Sequence, residues 1–249
     1  AVVGWYAAAY RIVTIPAFVP AIVMTVVFPA LSASSSDAAA FGRLGRRALH
    51  GVVVVSVPMA LGIMVVADGL IRALGYPASF ANSVLPMQIL ALHIPLAAID
   101  TLIGTVLNAS DRQRQWAMTG VAAAVLNPAL NMIAIPLTQS ALGNGAIGAA
   151  VITLATETFM LVAGLRLLPR GIIDTTTTAR LARGVAAALV MAAMVWPLRD
   201  LPLFVPIGAG VLAYAASCLV LGAVSLGELV DAWHHIVRRG HAAASAPAA

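Results

Sequence analysis

Residues 49–67 read LHGVVVVSVPMALGIMVVA, a run of nineteen positions without one Asp, Glu, Lys or Arg. A helix needs about 20 such residues, rising about 1.5 Å each, to cross the roughly 30 Å hydrocarbon layer of a bilayer. Comparable apolar runs occupy 5–30, 84–107, 116–137, 146–168, 184–198 and 203–224, with the sixth able to start as early as Ala179. Over all 249 residues, 61% are hydrophobic and 9% charged, against about 45–50% and about 25% in soluble domains. A water-soluble fold is excluded. The pattern predicts an all-α, polytopic membrane bundle of about seven transmembrane helices. Pro16, Pro20, Pro58, Pro95 and Pro128 fall inside these runs. Within a bundle, neighbouring groups re-satisfy the carbonyls a proline frees, so kinked spans are expected rather than breaks.

The net charge of +5 comes from Arg alone, dispersed between apolar runs, and is read as an orientation signal rather than a nucleic-acid surface. Alternate connections carry Arg43, Arg46 and Arg47, then Arg112 and Arg114, then Arg166, Arg170, Arg180 and Arg183, then Arg238 and Arg239. The intervening ones hold only Arg72 and Arg199. The arginine-rich side is expected to be cytoplasmic, with the connection 138–145 outside. Cys218 is the single cysteine and sits in an apolar run, so no internal disulfide or cysteine metal site is available. Residue 1 is Ala, without a signal-peptide pattern, and the chain reads as part of a longer one.

Three domains are expected: 1–168 with five spans, 169–225 with two more, and 226–249 as an interfacial amphipathic helix and disordered tail. A second amphipathic stretch follows Ser32–Ser36, where Asp37 caps a short helix on the inner surface. His234 and His235 are adjacent, about 100° apart on a helix, which does not suit joint metal ligation. Gly143, Gly145 and Gly148 spell G-x-G-x-x-G, but without the preceding strand and the acidic residue about 20 positions on that nucleotide binding requires. A tight turn and a close helix approach account for them instead.

Polar residues at membrane depth are the candidate site, because each ionisable group there is costly unless paired or hydrated. They are Arg11 in the first span, His93 and Asp100 in the third, Asn127 and Asn131 in the fourth, and Glu157 in the fifth. His93 and Asp100, seven apart, share a face about 10 Å apart along the axis, so only water or a neighbouring helix can connect them. Asn127 and Asn131 form one stripe, Thr153 and Glu157 another. For the asparagines, interhelical hydrogen bonding is the plainer reading. Asp100 and Glu157 stand open between structural polar groups and cavity or coupling groups, and Arg11 between a snorkelling anchor and a substrate contact. No cofactor or metal is expected, and no clustered acid, base or nucleophile points to an enzyme.

A resemblance joins these pieces. Gly4-Trp-Tyr-Ala-Ala-Ala-Tyr-Arg-Ile12 with Pro16 and Phe28-Pro-Ala-Leu-Ser32 resembles the G-x-Y-x-x-A-x-R and F-P-x-L-S pattern of multidrug/oligosaccharidyl-lipid/polysaccharide exporters. Asn127-Pro-Ala-Leu-Asn131, Ile135-Pro136, Gly145-Ala-Ile-Gly-Ala-Ala150 and Thr156-Glu157 follow in the order of that family's N-x-x-x-N, I-P, G-x-x-G-A-A and T-E. The resemblance covers roughly 4–168. It implies the second lobe of a two-lobed, alternating-access transporter in a bacterial inner membrane, with the N-terminal lobe of the same chain absent here. It also implies a polyprenyl-pyrophosphate-linked oligosaccharide as substrate, flipped for polysaccharide or envelope synthesis, with Arg11 as the headgroup contact. Lipid II flippases and cation-coupled drug antiporters are the alternatives within the superfamily, and a polytopic membrane transferase is the alternative of another class. The bilayer and the lipid-linked oligosaccharide are the expected partners, nucleic acid is not.

Overall fold

The computed structural model describes residues 1–169 and 171–224. Its α-helices are α1 (Val2–Ala33), α2 (Ala38–Ala73), α3 (Val84–Ala91), α4 (His93–Ala109), α5 (Gln113–Leu142), α6 (Gly145–Leu167), α7 (Thr175–Val195) and α8 (Phe204–Val220). All seven apolar runs fall on helix. Five segments are long and apolar enough to cross a bilayer: Ala38–Ala73, Ala78–Ala109, Gln113–Leu142, Gly145–Leu167 and Thr175–Leu198. α1 has the length with 32 residues, whereas α8 is apolar but only 17 residues long. The expected helix and tail at 226–249 lie outside the described residues, as do Arg170, Arg238 and Arg239.

Three boundaries differ from the sequence expectation. The stretch after Asp37 is no separate surface helix. Asp37 caps it as expected, Oδ1 accepting from the Ala39 and Ala40 amides at 2.9 and 3.0 Å, but the helix then runs through Gly45 and Gly51 into the second span. Isolated glycines cost a helix only about 1 kcal/mol each, and packing of Phe41, Ala48 and Leu49 in the core cluster offsets that. The sixth span begins before Ala179, at Thr175. Asp174 accepts from the Thr177 amide and the Thr176 hydroxyl, both at 2.7 Å, and this cap draws the threonine run into the helix despite its modest propensity. Those bonds hold the exposed Asp174 carboxyl well below its ordinary range, at about 2. The third span is broken at Leu92 into α3 and α4. Pro95 has no N–H to give the Ala91 carbonyl, and the Leu92 amide bonds Ile89 in a tighter turn at 3.2 Å.

The connections sort into two groups, one at each end of the bundle, as the alternation of arginines anticipates. At one end Arg46 bonds the Gly171 carbonyl and pairs with Asp174 at 3.5 Å, and Arg112 Nη1 donates to the Leu167 carbonyl at 2.6 Å. At the other end Asn144 Nδ2 donates to the Asn82 carbonyl at 2.8 Å, Asp68 pairs with Arg72, and Arg199 lies 4.2 Å over the Trp196 ring. Side-chain caps and bonds thus tie alternate loops together at each end.

The core has separate centres. Leu31, Phe41, Val52, Leu102, Val106 and Ile172 pack α1, α2 and α4 around the 168–174 connection. Ala9, Val13, Ala60, Met87, Leu90 and Ile94 join α1, α2, α3 and the start of α4. α7 and α8 join through α2, with Val65, Val66, Met191, Val195 and Ala213 between them. α5 stands apart. It packs chiefly on α6, Ala123 is its one buried residue among those described, and Met118, Val121, Val125, Met132 and Leu137 are exposed. An apolar helix so uncovered has lipid or another membrane helix as its solvent.

Candidate functional site

The break at Leu92 makes His93 the first residue of α4, and two turns later Asp100 projects from the same face. That face meets α6. Ile103 lies against Gly164, and His93 Nδ1 stands 3.7 Å from Glu157 Oε1, with those two side chains 12% and 23% exposed. Asp100 is buried at 5% exposure, and neither of its carboxyl oxygens has a hydrogen-bond partner among the described residues. His93 and Asp100, which cannot touch each other, share the face of α4 turned to α6, and of the two His93 has its carboxyl neighbour there in Glu157.

The same turn of α6 reaches two more helices. Thr153 Oγ1 shares a hydrogen bond of 3.1 Å with the Tyr6 hydroxyl of α1. Thr156 Oγ1 accepts from Asn127 Nδ2 at 3.0 Å and donates back to the Ile152 carbonyl at 2.9 Å. Asn131 Nδ2 donates to Asn127 Oδ1 at 2.9 Å, continuing the stripe along α5. Asn127 thus bonds between helices, whereas the hydrogen bonds of Asn131 stay within α5. Glu157, Thr153 and Thr156 address α4, α1 and α5 in turn, so one stretch of α6 ties three neighbours by polar contact.

Small residues allow the approach that these bonds need. A Cβ on Gly148 would run into the Ala134 carbonyl oxygen and, at 2.5 Å, the Thr138 hydroxyl. The Gly148 amide donates to that hydroxyl at 3.1 Å. Gly143 takes the left-handed conformation, φ 68°, that ends α5. The glycines of the G-x-G-x-x-G string therefore serve a turn and a helix contact, with a helix rather than a strand before them. Towards the arginine-rich end, the Trp116 indole of α5 fills the gap between α4 and α6. A Cβ at Gly104 would lie 2.6 Å from its Nε1, and one at Gly164 3.0 Å from its Cζ3.

Arg11 is not part of this cluster. Ala8, Ala9, Ile12 and Val13 turn the other face of α1 into the core, which leaves Arg11 exposed with Val3, Tyr10, Ile15 and Phe18. Among the described residues it forms no ion pair. Sequence reasoning identified the polar positions but missed Tyr6 as the partner of Thr153 and Trp116 as the wedge. Gly104 and Gly164, isolated glycines within apolar helices, were the available signal for the latter.

Residues 1–76, which hold α1 and α2 with the G-x-Y-x-x-A-x-R and F-P-x-L-S pieces, match the model of a family described as polysaccharide biosynthesis protein. No curated protein matches the chain. Among solved structures, the lipid II flippase MurJ in an inward closed conformation matches with a TM-score of 0.69 at 17% identity, over 88% of this chain and 47% of that one. The chain shares the fold of that flippase over most of its length. It is a multi-pass membrane protein, and it spans about half the length of the flippase it matches. Within this fold the polar turn of α6 is internal to the bundle, whereas Arg11 faces outward from it.

Proposed function

We propose that the chain forms the second lobe of a flippase that carries a polyprenyl-pyrophosphate-linked oligosaccharide across the bacterial inner membrane by alternating access, for polysaccharide or envelope synthesis. Transport, not catalysis, is its activity, and a first lobe elsewhere in the full protein completes the cavity. The observation that carries the reading is Arg11. It is a guanidinium at membrane depth, on the one face of α1 that the lobe leaves uncovered, without an ion pair among the described residues. A charge at that depth is retained where it meets water or an opposite charge, and a guanidinium binds phosphate oxygens bidentately.

A second feature fits the lipid half of the substrate. An apolar groove of about 540 Å³ opens between α2, α7 and α8, lined by residues including Pro58, Val66, Met191, Pro206 and Tyr214. Its wall includes Pro16 of α1, five residues from Arg11 and so about 7.5 Å along the helix. A chain lying in the groove and a headgroup at Arg11 are thus within one molecule's reach.

The test is complementation of surface-polysaccharide export, normalised to the amount of protein in the membrane. Arg11→Lys is expected to support part of the wild-type export and Arg11→Ala almost none, at unchanged abundance. A snorkelling anchor gives the opposite order, with Lys fully active and Ala poorly inserted. Full export by Arg11→Ala removes the headgroup role.

A further inference from the structure

We propose that Tyr214 of α8 is a latch on a hinge in α2, and that an apolar chain lodged in the neighbouring groove tightens it. The hinge begins with Pro58, which lies inside α2 and has no N–H to give the Val54 carbonyl one turn before it. A carbonyl left open at membrane depth has no water to turn to. The Tyr214 hydroxyl supplies the missing donor, reaching the Val54 oxygen at 2.6 Å. One backbone acceptor of α2 is thus satisfied by a side chain of another helix. The neighbouring positions favour bending too. The Ser56 hydroxyl donates back to the Val52 carbonyl at 2.7 Å, a bond that itself bends helices, and a Cβ at Gly51 or Gly62 would meet nothing within 4 Å.

The latch sits where the groove can act on it. Pro58 and Tyr214 both line the groove, together with Gly62, Ile207 and Val211. Beside the latch, a Cβ at Gly184 of α7 would stand 3.5 Å from Val54 Cγ2, and further along α2 one at Gly69 would stand 3.0 Å from Leu203 Cδ2. Tyr214 and Leu203 thus bring the α8 segment against α2 at two heights. An empty apolar gap leaves its lining without partner atoms, and a chain that touches Pro58 and the Tyr214 ring gains both sets of contacts only while the latch is closed. That difference in affinity is what lets the chain shift the equilibrium, and by reciprocity the closed latch favours the chain. This coupling rests on the lipid reading of the groove; the latch itself does not. Its effect reaches the inner face, because the part of α2 before Pro58 carries Arg46, whose clamp on Gly171 and Asp174 lies about 12 Å along the helix from Val54.

Hydrogen–deuterium exchange of the full-length protein in phosphatidylcholine nanodiscs reads the hinge through the amides of 52–62, whether or not anything is flipped. Tyr214→Phe keeps the ring and removes the donor, and it is expected to speed their exchange about tenfold. Adding Pro58→Ala is expected to return the exchange to the wild-type rate, because the restored amide bonds Val54 in place of the hydroxyl. A ring that merely fills space gives neither result. Geranylgeraniol, added as the apolar chain and counted by native mass spectrometry, is expected to slow the exchange about threefold in the wild type and not in Tyr214→Phe, which binds it about threefold more weakly. Wild-type exchange in Tyr214→Phe, or fast exchange that Pro58→Ala does not rescue, overturns the latch. Bound geranylgeraniol that leaves wild-type exchange unchanged overturns the coupling. Failure of geranylgeraniol to bind refutes the lipid reading of the groove and the coupling with it, while the two variants still decide the latch.

Discussion

Gly148→Ala tests the contact by which α5 is held. The added Cβ falls on the Ala134 carbonyl oxygen, 2.5 Å from Thr138 Oγ1 and 2.8 Å from the Ala134 carbonyl carbon. Two of these three are backbone atoms that cannot rotate away, so the helices must part. Overpacking of this kind costs about 1–3 kcal/mol, and an immovable neighbour puts it near the upper end. Parting also weakens the bond from the Gly148 amide to Thr138 and the one from Asn127 to Thr156, since both span the same interface. A loss of about 3 kcal/mol corresponds to a melting temperature lower by about 6–12 °C in a chain of this size. Gly120→Ala is the control. It lies in α5 with nothing within 4 Å of the added atom, so the better helix former is expected to be neutral or slightly stabilising. Heating in detergent followed by size-exclusion chromatography gives both values. Equal melting of Gly148→Ala and wild type would refute the claim that close approach at this glycine holds α5 to the lobe.

Two further outcomes follow from charge. Single cysteines beside Arg43, Arg112 and Arg183, in a Cys218→Ala background, are expected to resist an impermeant thiol reagent added to intact cells, while one at Ser140 reacts; external labelling beside Arg112 reverses the orientation. Asp174, whose carboxyl lies near 2 against the ordinary 3.8, contributes stability that is complete above about pH 4 and lost as pH falls through about 2. Asp174→Ala is therefore expected to flatten the fall in melting temperature over that window. A variant whose fall is as steep as wild type's would show that the cap of α7 carries none of it.

The span 49–67 was legible because its apolar length has no alternative explanation, and Asp37 because a cap is a local event between neighbouring residues. The start of α7 was not, since four threonines in a row have poor helix propensity and only the geometry of Asp174 overrides it. Pro95 announced a kink but not that the helix would restart at His93. Among the site residues, Asn127 and Asn131 pair within one helix, so their spacing showed their partnership. His93 and Glu157 find each other across helices, and which face of α6 meets α4 depends on packing at Gly104 and Gly164 that no periodicity reports. The exposed face of α1 was unreadable for the same reason: an apolar helix shows no stripe until its neighbours are in place.

The length of α2 has a mechanical consequence. Its 36 residues make a rod of about 54 Å, against about 30 Å of hydrocarbon, so one stiff element begins outside the membrane and ends across it. The arginine-bearing end of that rod is clamped to the 168–174 connection through Arg46, Gly171 and Asp174. Rocking the rod by 10° about its midpoint would carry this end through about 5 Å. A tilt of the part of α2 before Pro58 is thus delivered as a tug on the strap between α6 and α7, and the Arg46 clamp is where that force is handed over.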